Sequence, residues 1–232
     1  MLKLTFMPGL DGTGISFEPL RRFLPHNIAA TVIRYPSDRL LSFADTVDCA
    51  FEQIAGEQDI IVAESFSGPV AIALLGSGRV KAKGVLLCAT FARLPKRFAF
   101  LNMNALPLEF GFRAPFQNLL LRYFIGNAKK RQSLESMQER IAEIVPVKTI
   151  VHRIRLLSSL DVRPWLPHLK MPCWYIRPTR DRLLPAKVAT DFVQAIPHLV
   201  IKEIPTSHFV LQSEPAVSAA VIEEFMKIIP CG

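Results

Sequence analysis

Short apolar runs alternate with longer segments of mixed polarity along most of this 232-residue chain. Runs of this kind, rich in Val, Ile and Leu, are typical of buried strands. They are Leu2–Met7, Ala29–Tyr35, Asp59–Glu64, Gly84–Thr90, Cys173–Arg177 and Val200–Ile204. Apolar residues at helical spacing predict helices over 16–24, 42–55, 66–77, 186–195 and 215–229. The alternation predicts an α/β fold, with a mostly parallel sheet of about six strands and helices on both faces.

One long segment, 92–170, interrupts this alternation because it contains no strand pattern and only helical spacing. Asn127 can cap one of its helices. The apolar positions that share a face of that helix are Leu134, Met137, Ile141 and Ile144. A segment of this length is too long for a plain connection between two strands. We therefore predict a core formed by 1–91 and 171–232, with 92–170 inserted as a helical cap over the carboxyl edge of the sheet, where open α/β folds bind ligands.

Charge is distributed unevenly between the two parts. The cap contains 14 Lys and Arg against 5 Asp and Glu, whereas the rest of the chain contains 14 against 15, so the cap carries the whole net charge of +8. Such an excess is either a solvated helical surface or a positive patch that attracts an anionic partner. The residues proposed for such a patch are Lys129, Lys130, Arg131, Arg153 and Arg155.

Composition excludes several classes of protein. Half of the residues are apolar, and the four cysteines form no CxxC pair, which suits a reducing compartment. No apolar run reaches the roughly 18 residues of a membrane span, and the N-terminus lacks the pattern of a secretory signal. We therefore expect a soluble cytoplasmic protein. No group of His, Cys and carboxylate residues has the spacing of metal ligands, so neither a metal nor another cofactor is expected.

The third predicted strand leads into a candidate nucleophile. The sequence AESFSG, 63–68, follows a buried strand and begins a helix. A sharp strand-to-helix turn exposes a serine hydroxyl above the sheet, and small residues two positions before and after it let the helix pack on the strand. Ala63 and Ser67 take those positions. The pattern predicts that Ser65 is a nucleophile; the alternative is a chance run of small residues at the start of a helix.

Two later loops supply the partners that a nucleophilic serine needs. RPTRDRLLP places Asp181 after the fifth strand, and TSHFV places His208 after the sixth. A histidine there can take the serine proton, and a carboxylate can hold the imidazole in the required tautomer. The alternative for Asp181 is a surface carboxylate paired with Arg180 or Arg182.

A glycine-rich loop, MPGLDGTG, follows the first strand. Glycines let the backbone approach a ligand, and backbone N–H donors stabilise an oxyanion. The N–H groups of Leu10, in this loop, and of Phe66, after the candidate nucleophile, form the natural pair. Alternatively, the Gly9–Gly14 loop binds the pyrophosphate of a dinucleotide. However, its spacing is not GxGxxG, and this interpretation leaves Ser65 and His208 unexplained.

The motifs MPGLDGTG, AESFSG, RPTRDRLLP and TSHFVLQSEP together resemble the α/β-hydrolase superfamily over nearly the whole chain. The segment RIRLLSSLDVR, 153–163, also resembles the end of the helical cap in carboxylesterases that cleave pimeloyl carrier-protein methyl esters. The resemblance implies a capped enzyme with a Ser65, His208 and Asp181 triad that acts on esters. The chain departs from the family at Glu64, where a histidine often precedes the nucleophile.

The expected activity is hydrolysis of a small acyl ester or thioester through an acyl-enzyme. An acyltransferase would use the same intermediate, with an alcohol in place of water, and a noncatalytic hydrolase-like binding protein would not need the full triad. In the cap, Phe112, Phe116 and Phe124 are expected to line an apolar acyl pocket, although ordinary packing explains them equally well. The partners considered for the positive cap are an acidic acyl-carrier protein and acyl-CoA; nucleic acid is not expected.

Overall fold

The computed structural model describes residues 2–26, 28–54, 56, 58–95 and 128–229. Within these ranges the six strands are β1 Lys3–Met7, β2 Ala29–Val32, β3 Gln58–Glu64, β4 Ala82–Cys88, β5 Cys173–Pro178 and β6 Val200–Ile204. They form one parallel sheet in the order β2-β1-β3-β4-β5-β6. The predicted α/β class with about six parallel strands is confirmed.

Helices connect and cover these strands. They are α1 Glu18–Arg21, α2 Phe43–Gln53, α3 Ser67–Gly76, α4 Ala128–Ile144, α5 Val147–Leu157, α6 Ala189–Ala195, α7 Val210–Ser213 and α8 Pro215–Ile228. Helix α2 begins with a capping box, in which Ser42 and Asp45 each accept the other's backbone N–H. Helix α8 begins with a proline. Proline lacks an N–H, but an N–H in the first turn of a helix has no acceptor within the helix, so no hydrogen bond is lost. In the described ranges no helix combines the length and the apolar character needed to cross a bilayer.

The core lies on both faces of the sheet. On β3, Ile61 and Ala63 pack on the face covered by α2, α3 and α6, whereas Ile60 and Val62 pack on the face covered by α1, α7 and α8. All four side chains are fully buried. Successive strand residues point to opposite faces, and a parallel sheet covered on both sides needs apolar residues at each. This explains why the centre of β3, from Ile60 to Ala63, is an uninterrupted apolar run.

The described part of the insertion is helical. On α4 the buried apolar side chains are those of Leu134, Met137 and Ile141. Ile144, which the spacing placed on the same face, is 52% exposed, and Val145 is buried instead. The helical path continues for one more residue, since the Val145 N–H donates to the Ile141 carbonyl at 2.8 Å, and this brings Val145 to the core side.

Contacts with the core place α4 over the start of α1, and α5 over the loops that follow β1 and β2. Arg140 on α4 donates two hydrogen bonds, of 2.7 and 2.8 Å, to the Glu18 carboxylate. On α5, the Thr149 hydroxyl donates to the Ser37 carbonyl at 2.8 Å. These loops leave the carboxyl ends of their strands. The limits of the cap, 92–170, stay a prediction, because 96–127 lie outside the described residues.

Candidate active site

Ser65 lies at a strained turn between β3 and α3. Its φ is 46°, in the left-handed region that residues other than glycine rarely adopt. Two hydrogen bonds hold the turn: the Ser65 N–H donates to the Cys88 carbonyl at 2.9 Å, and the Thr90 hydroxyl donates to the Ser65 carbonyl at 2.6 Å. The neighbouring strand β4 and the residues after it therefore fix the backbone of the candidate nucleophile.

The small residues after Ser65 have specific neighbours. A Cβ added at Gly68 would lie 1.9 Å from the Thr90 Oγ1 that holds the turn, so only glycine leaves room for this hydroxyl. Ser67 is fully buried. Its hydroxyl donates to the Pro8 carbonyl and shares a 2.7 Å hydrogen bond with the Tyr35 hydroxyl. The hydroxyl of Ser67 is thus engaged inside the protein, which separates its role from that of Ser65.

The structure brings Ser65, His208 and Asp181 together in one series of hydrogen bonds. Ser65 Oγ lies 3.0 Å from His208 Nε2, and His208 Nδ1 lies 2.7 Å from Asp181 Oδ2. The other carboxylate oxygen, Oδ1, accepts the N–H groups of Leu183 and Leu184 at 2.8 and 2.9 Å. Because a carboxylate only accepts, Nδ1 carries the proton and Nε2 is left to accept from the serine. The Asp181 side chain is only 7% exposed, so it is not a surface carboxylate.

Backbone pairing holds the two loops side by side. Strands β5 and β6 are neighbours, and hydrogen bonds continue beyond their ends: Thr179 N–H donates to Ile204 O at 2.9 Å, and Arg180 N–H donates to Thr206 O at 3.0 Å. The Asp181 loop and the His208 loop therefore leave the sheet together. Adjacent parallel strands explain how residues 27 positions apart come into contact.

The loop after β1 lies next to Ser65. A Cβ built at Gly9 would lie 4.0 Å from the Ser65 Cβ. Among the described residues, neither the Leu10 N–H nor the Phe66 N–H has a backbone acceptor, so both predicted oxyanion donors are free of such partners. N–H groups in and just after this loop already have acceptors within it: Asp11 accepts the Thr13 N–H at 2.9 Å, and the Thr13 hydroxyl accepts the Ile15 N–H at 3.2 Å. N–H groups that already have acceptors are not free to bind a pyrophosphate, which argues against the alternative that this loop binds a dinucleotide.

Arg153 is the predicted partner-binding residue whose position differs most from expectation. It is 5% exposed, and its guanidinium donates to the carbonyls of Leu10, Asp11 and Pro36 at 2.6, 2.8 and 2.9 Å. The reason is that α5 docks on the loops after β1 and β2 with this residue facing inward. Burial lowers the pKa of the Arg153 guanidinium, and the nearby Asp11 carboxylate opposes this effect. Arg153 therefore does not belong to an exposed positive patch.

For the other cap residues that the sequence predicted to bind a partner or line a pocket, the structure describes the side chain of Arg155 alone. Arg155 is partly buried on α5. Lys129, Lys130 and Arg131 occupy the first turn of α4, and their side chains lie outside the described residues. The proposed pocket residues Phe112, Phe116 and Phe124 lie outside the described residues as well.

Glu64 and Gln212 form a buried pair that the motifs did not predict. Gln212 Nε2 donates to Glu64 Oε1 at 2.7 Å, which joins the residue before Ser65 to the helix after His208. Burial raises the pKa of Glu64 to about 7; the Asp11 carboxylate adds to this, while Gln212 and His208 oppose it. The sequence offered one signal that Gln212 lies near the site: it follows His208 by four residues, in a segment that begins a helix.

The raised pKa of Glu64 predicts that the stability of the fold depends on pH. Its pKa rises from the usual 4.5 to about 7 on folding, so between these values the folded state binds a proton that the unfolded state has lost. Stability therefore falls as pH rises from about 4.5 to about 7, by about 3 kcal/mol in total. Glutamine does not titrate, so we expect Glu64→Gln to escape this loss. The free energy of unfolding in urea, taken as variant minus wild type, should therefore increase as the pH rises from about 4.5 to about 7.

The control for this measurement is Glu143→Gln, at an exposed position near the end of α4. This variant keeps Glu64, so its stability should show the same loss with rising pH as that of wild type. A constant difference for Glu64→Gln as well would contradict the expected titration of Glu64.

A parallel α/β sheet, with a serine at a strained strand-to-helix turn and Asp and His on later loops, is the architecture of the α/β hydrolases. The alpha/beta hydrolase family matches residues 6–221, and the chain belongs to this family. The resemblance inferred from the four motifs is confirmed.

Individual relatives are more distant. The pimeloyl-[acyl-carrier protein] methyl ester esterase of Vibrio atlanticus is 24% identical over 89 residues, which are 38% of this chain and 34% of that protein. The fold is similar to that of an enol-lactonase from Burkholderia xenovorans, with a TM-score of 0.78, 14% identity, and coverage of 97% of this chain and 91% of the other. An esterase from Exiguobacterium antarcticum gives a TM-score of 0.80 and 12% identity, with 98% and 92% covered.

Proposed function

We propose that this chain is a serine hydrolase that cleaves a carboxylic ester or thioester through an acyl-enzyme formed on Ser65. The observation that carries the proposal is the hydrogen-bonded series from Ser65 Oγ through His208 to Asp181, on the fold of the α/β hydrolases. The names of the relatives support it, since they include an esterase from Exiguobacterium antarcticum and a methyl ester esterase from Vibrio atlanticus.

The geometry supports a two-step acyl transfer. His208 Nε2 accepts the Ser65 proton as Oγ bonds to the carbonyl carbon of the ester. The same nitrogen then donates that proton to the leaving alcohol or thiol, whose bond to the carbonyl carbon breaks. A water molecule repeats the sequence on the acyl-enzyme and releases the acid. Asp181 stays ionised and stabilises the imidazolium formed in each step.

The oxyanion of each tetrahedral intermediate needs donors that are already oriented. In this proposal the donors are the N–H groups of Leu10 and Phe66. Phe66 precedes the first turn of α3, where backbone N–H groups point out of the helix and favour negative charge. Donors fixed by the fold act without reorganisation during the reaction, and each is worth about 100-fold or more in rate.

The test is hydrolysis of p-nitrophenyl esters of increasing acyl length by wild type and by Ser65→Ala, together with labelling by a serine-directed phosphonate. We expect wild type to release p-nitrophenol and to bind one phosphonyl group at Ser65. Failure of wild type both to hydrolyse any ester and to react with the phosphonate would contradict the proposed function.

The positive charge of the insertion suggests an anionic substrate carrier. We propose that an acidic acyl-carrier protein or acyl-CoA presents the acyl group, because clustered charge of one sign raises encounter rates with a partner of the opposite sign. The relative from Vibrio atlanticus, which by its name acts on a carrier-linked ester, favours the carrier. With Arg153 buried, the densest remaining basic run is the first turn of α4.

Reversing Lys129, Lys130 and Arg131 to Glu should lower kcat/KM for a carrier-linked or CoA substrate by about tenfold or more at low salt. A small neutral ester should be hydrolysed at the wild-type rate. Raising the salt concentration should reproduce the effect in wild type, because salt screens the same attraction.

A matched control makes the same change in net charge on the opposite edge of the sheet. It reverses the exposed residues Arg22, Lys81 and Lys227, which lie outside the insertion. If both triple variants affect the anionic substrate equally, overall charge and not a local patch is responsible, and the carrier proposal is wrong.

A further inference from the structure

A single guanidinium joins the insertion to the loop that follows β1. Arg153 on α5 is buried; its Nη1 donates to the carbonyls of Leu10 and Asp11 at 2.6 and 2.8 Å, and its Nη2 donates to the Pro36 carbonyl at 2.9 Å. Burying a charge is unfavourable unless its hydrogen bonds are made. Two of the three acceptors used here belong to the loop that carries the Leu10 N–H.

This loop is shaped to receive the side chain. The Gly12 N–H donates to the Gly9 carbonyl at 3.1 Å, which closes a turn with Leu10 and Asp11 at its centre. Arg153 Nη1 therefore holds both central carbonyls of the turn. Gly12 has a φ of +69°, and a Cβ there would lie 2.6 Å from Nη1 of Arg153, so a larger residue would displace the guanidinium.

The same turn lies beside the nucleophile, since a Cβ at Gly9 would be 4.0 Å from the Ser65 Cβ. The Leu10 N–H shares a peptide plane with the Gly9 carbonyl, and the closing hydrogen bond of the turn orients that plane. Resting on the proposed function, we propose that Arg153 is a positioning residue: it rigidifies the turn so that the Leu10 N–H is already aimed at the oxyanion. Arg153 itself does not contact the substrate.

The other polar residues that dock α5 contact a different loop. Thr149 donates to the Ser37 carbonyl at 2.8 Å and His152 to the Leu41 carbonyl at 2.7 Å, and both acceptors follow β2. Removing either contact loosens the docking of α5 alone. Removing the Arg153 side chain also frees two carbonyls of the turn next to Ser65. This difference separates a positioning role from ordinary attachment of the helix.

The experiment measures kcat and KM for a neutral p-nitrophenyl ester in Arg153→Met, Arg153→Lys and the control Thr149→Val. We expect Arg153→Met to lower kcat on the order of 100-fold, the effect of losing one oriented oxyanion donor. Its KM should stay within about threefold of wild type, because ground-state binding is unchanged. Arg153→Lys should recover part of kcat, since an ammonium can still donate to a carbonyl. Thr149→Val should keep kcat within about threefold.

A folded Arg153→Met or Arg153→Lys with the kcat of wild type would overturn the proposal, as would equal losses of kcat in Arg153→Met and Thr149→Val. If Arg153→Met does not fold, Arg153→Lys alone decides between these outcomes by its kcat. The proposed function is tested separately by Ser65→Ala. Loss of activity there, with unchanged Arg153 variants, rejects this inference alone. Activity retained in Ser65→Ala rejects the proposed function and this inference together.

Discussion

Ser65→Ala should lower kcat/KM for an ester on the order of 10⁵-fold, because the variant has no hydroxyl to form the acyl-enzyme. The fold should persist, since alanine keeps the Cβ and the two hydrogen bonds of the turn involve only the backbone of this residue. The measurement is steady-state hydrolysis of p-nitrophenyl esters, with thermal unfolding to verify the fold.

The matched control for this variant is Ser77→Ala, at the other end of α3. That hydroxyl is exposed and donates only to the Leu74 carbonyl among the described residues, so activity should be unchanged. Phosphonate labelling adds an independent readout of position. Label on Ser67, with an active Ser65→Ala, would overturn the assignment of the nucleophile.

Asp181→Asn should lower kcat on the order of 10⁴-fold while leaving Ser65 and His208 in place. The structure indicates how. The N–H groups of Leu183 and Leu184 donate to Asp181 Oδ1, so they would select the amide oxygen of the asparagine for that position. The amide NH₂ would then face His208 Nδ1 and favour the tautomer whose Nε2 carries the proton, which cannot act as a base toward serine.

The measurement for this variant is single-turnover acylation, which isolates the step that needs a basic Nε2. The control is Asp191→Asn, on the partly exposed surface of α6, which should keep the wild-type rate. Turnover close to wild type in Asp181→Asn would mean that another group orients His208.

Much of the sheet and of the site followed from local sequence. The apolar runs predicted all six strands because a strand buried on both faces needs apolar residues at consecutive positions. Ser65, Asp181 and His208 could be predicted because each follows a strand, and the carboxyl ends of parallel strands share one edge. The order of the motifs along the chain then selected these residues from other serines and histidines.

The contacts that were missed depend on how distant segments pack. Counting charges could not show that Arg153 faces inward, since a polar residue on a helix gives no sign of the surface that will cover it. The Glu64 and Gln212 pair joins residues 148 positions apart, and although each lies inside a motif, neither motif shows that the two side chains meet. At the end of α4, spacing alone could not decide between Ile144 and Val145, because residues three and four positions after Ile141 lie on nearly the same face.

The arrangement of the site also has a consequence for the order in which the protein can become active during its synthesis. The candidate nucleophile lies in the first third of the chain, but Asp181 follows the fifth strand and His208 follows the sixth. Contacts between residues so far apart in sequence form late, since long loops must close first. In a growing chain β1, β3 and β4 can pair with one another before His208, the candidate base for Ser65, has been made. Ser65 meets His208 only when β6 pairs along β5 at the edge of the sheet, so the proposed acyl transfer would become possible only once that edge is complete.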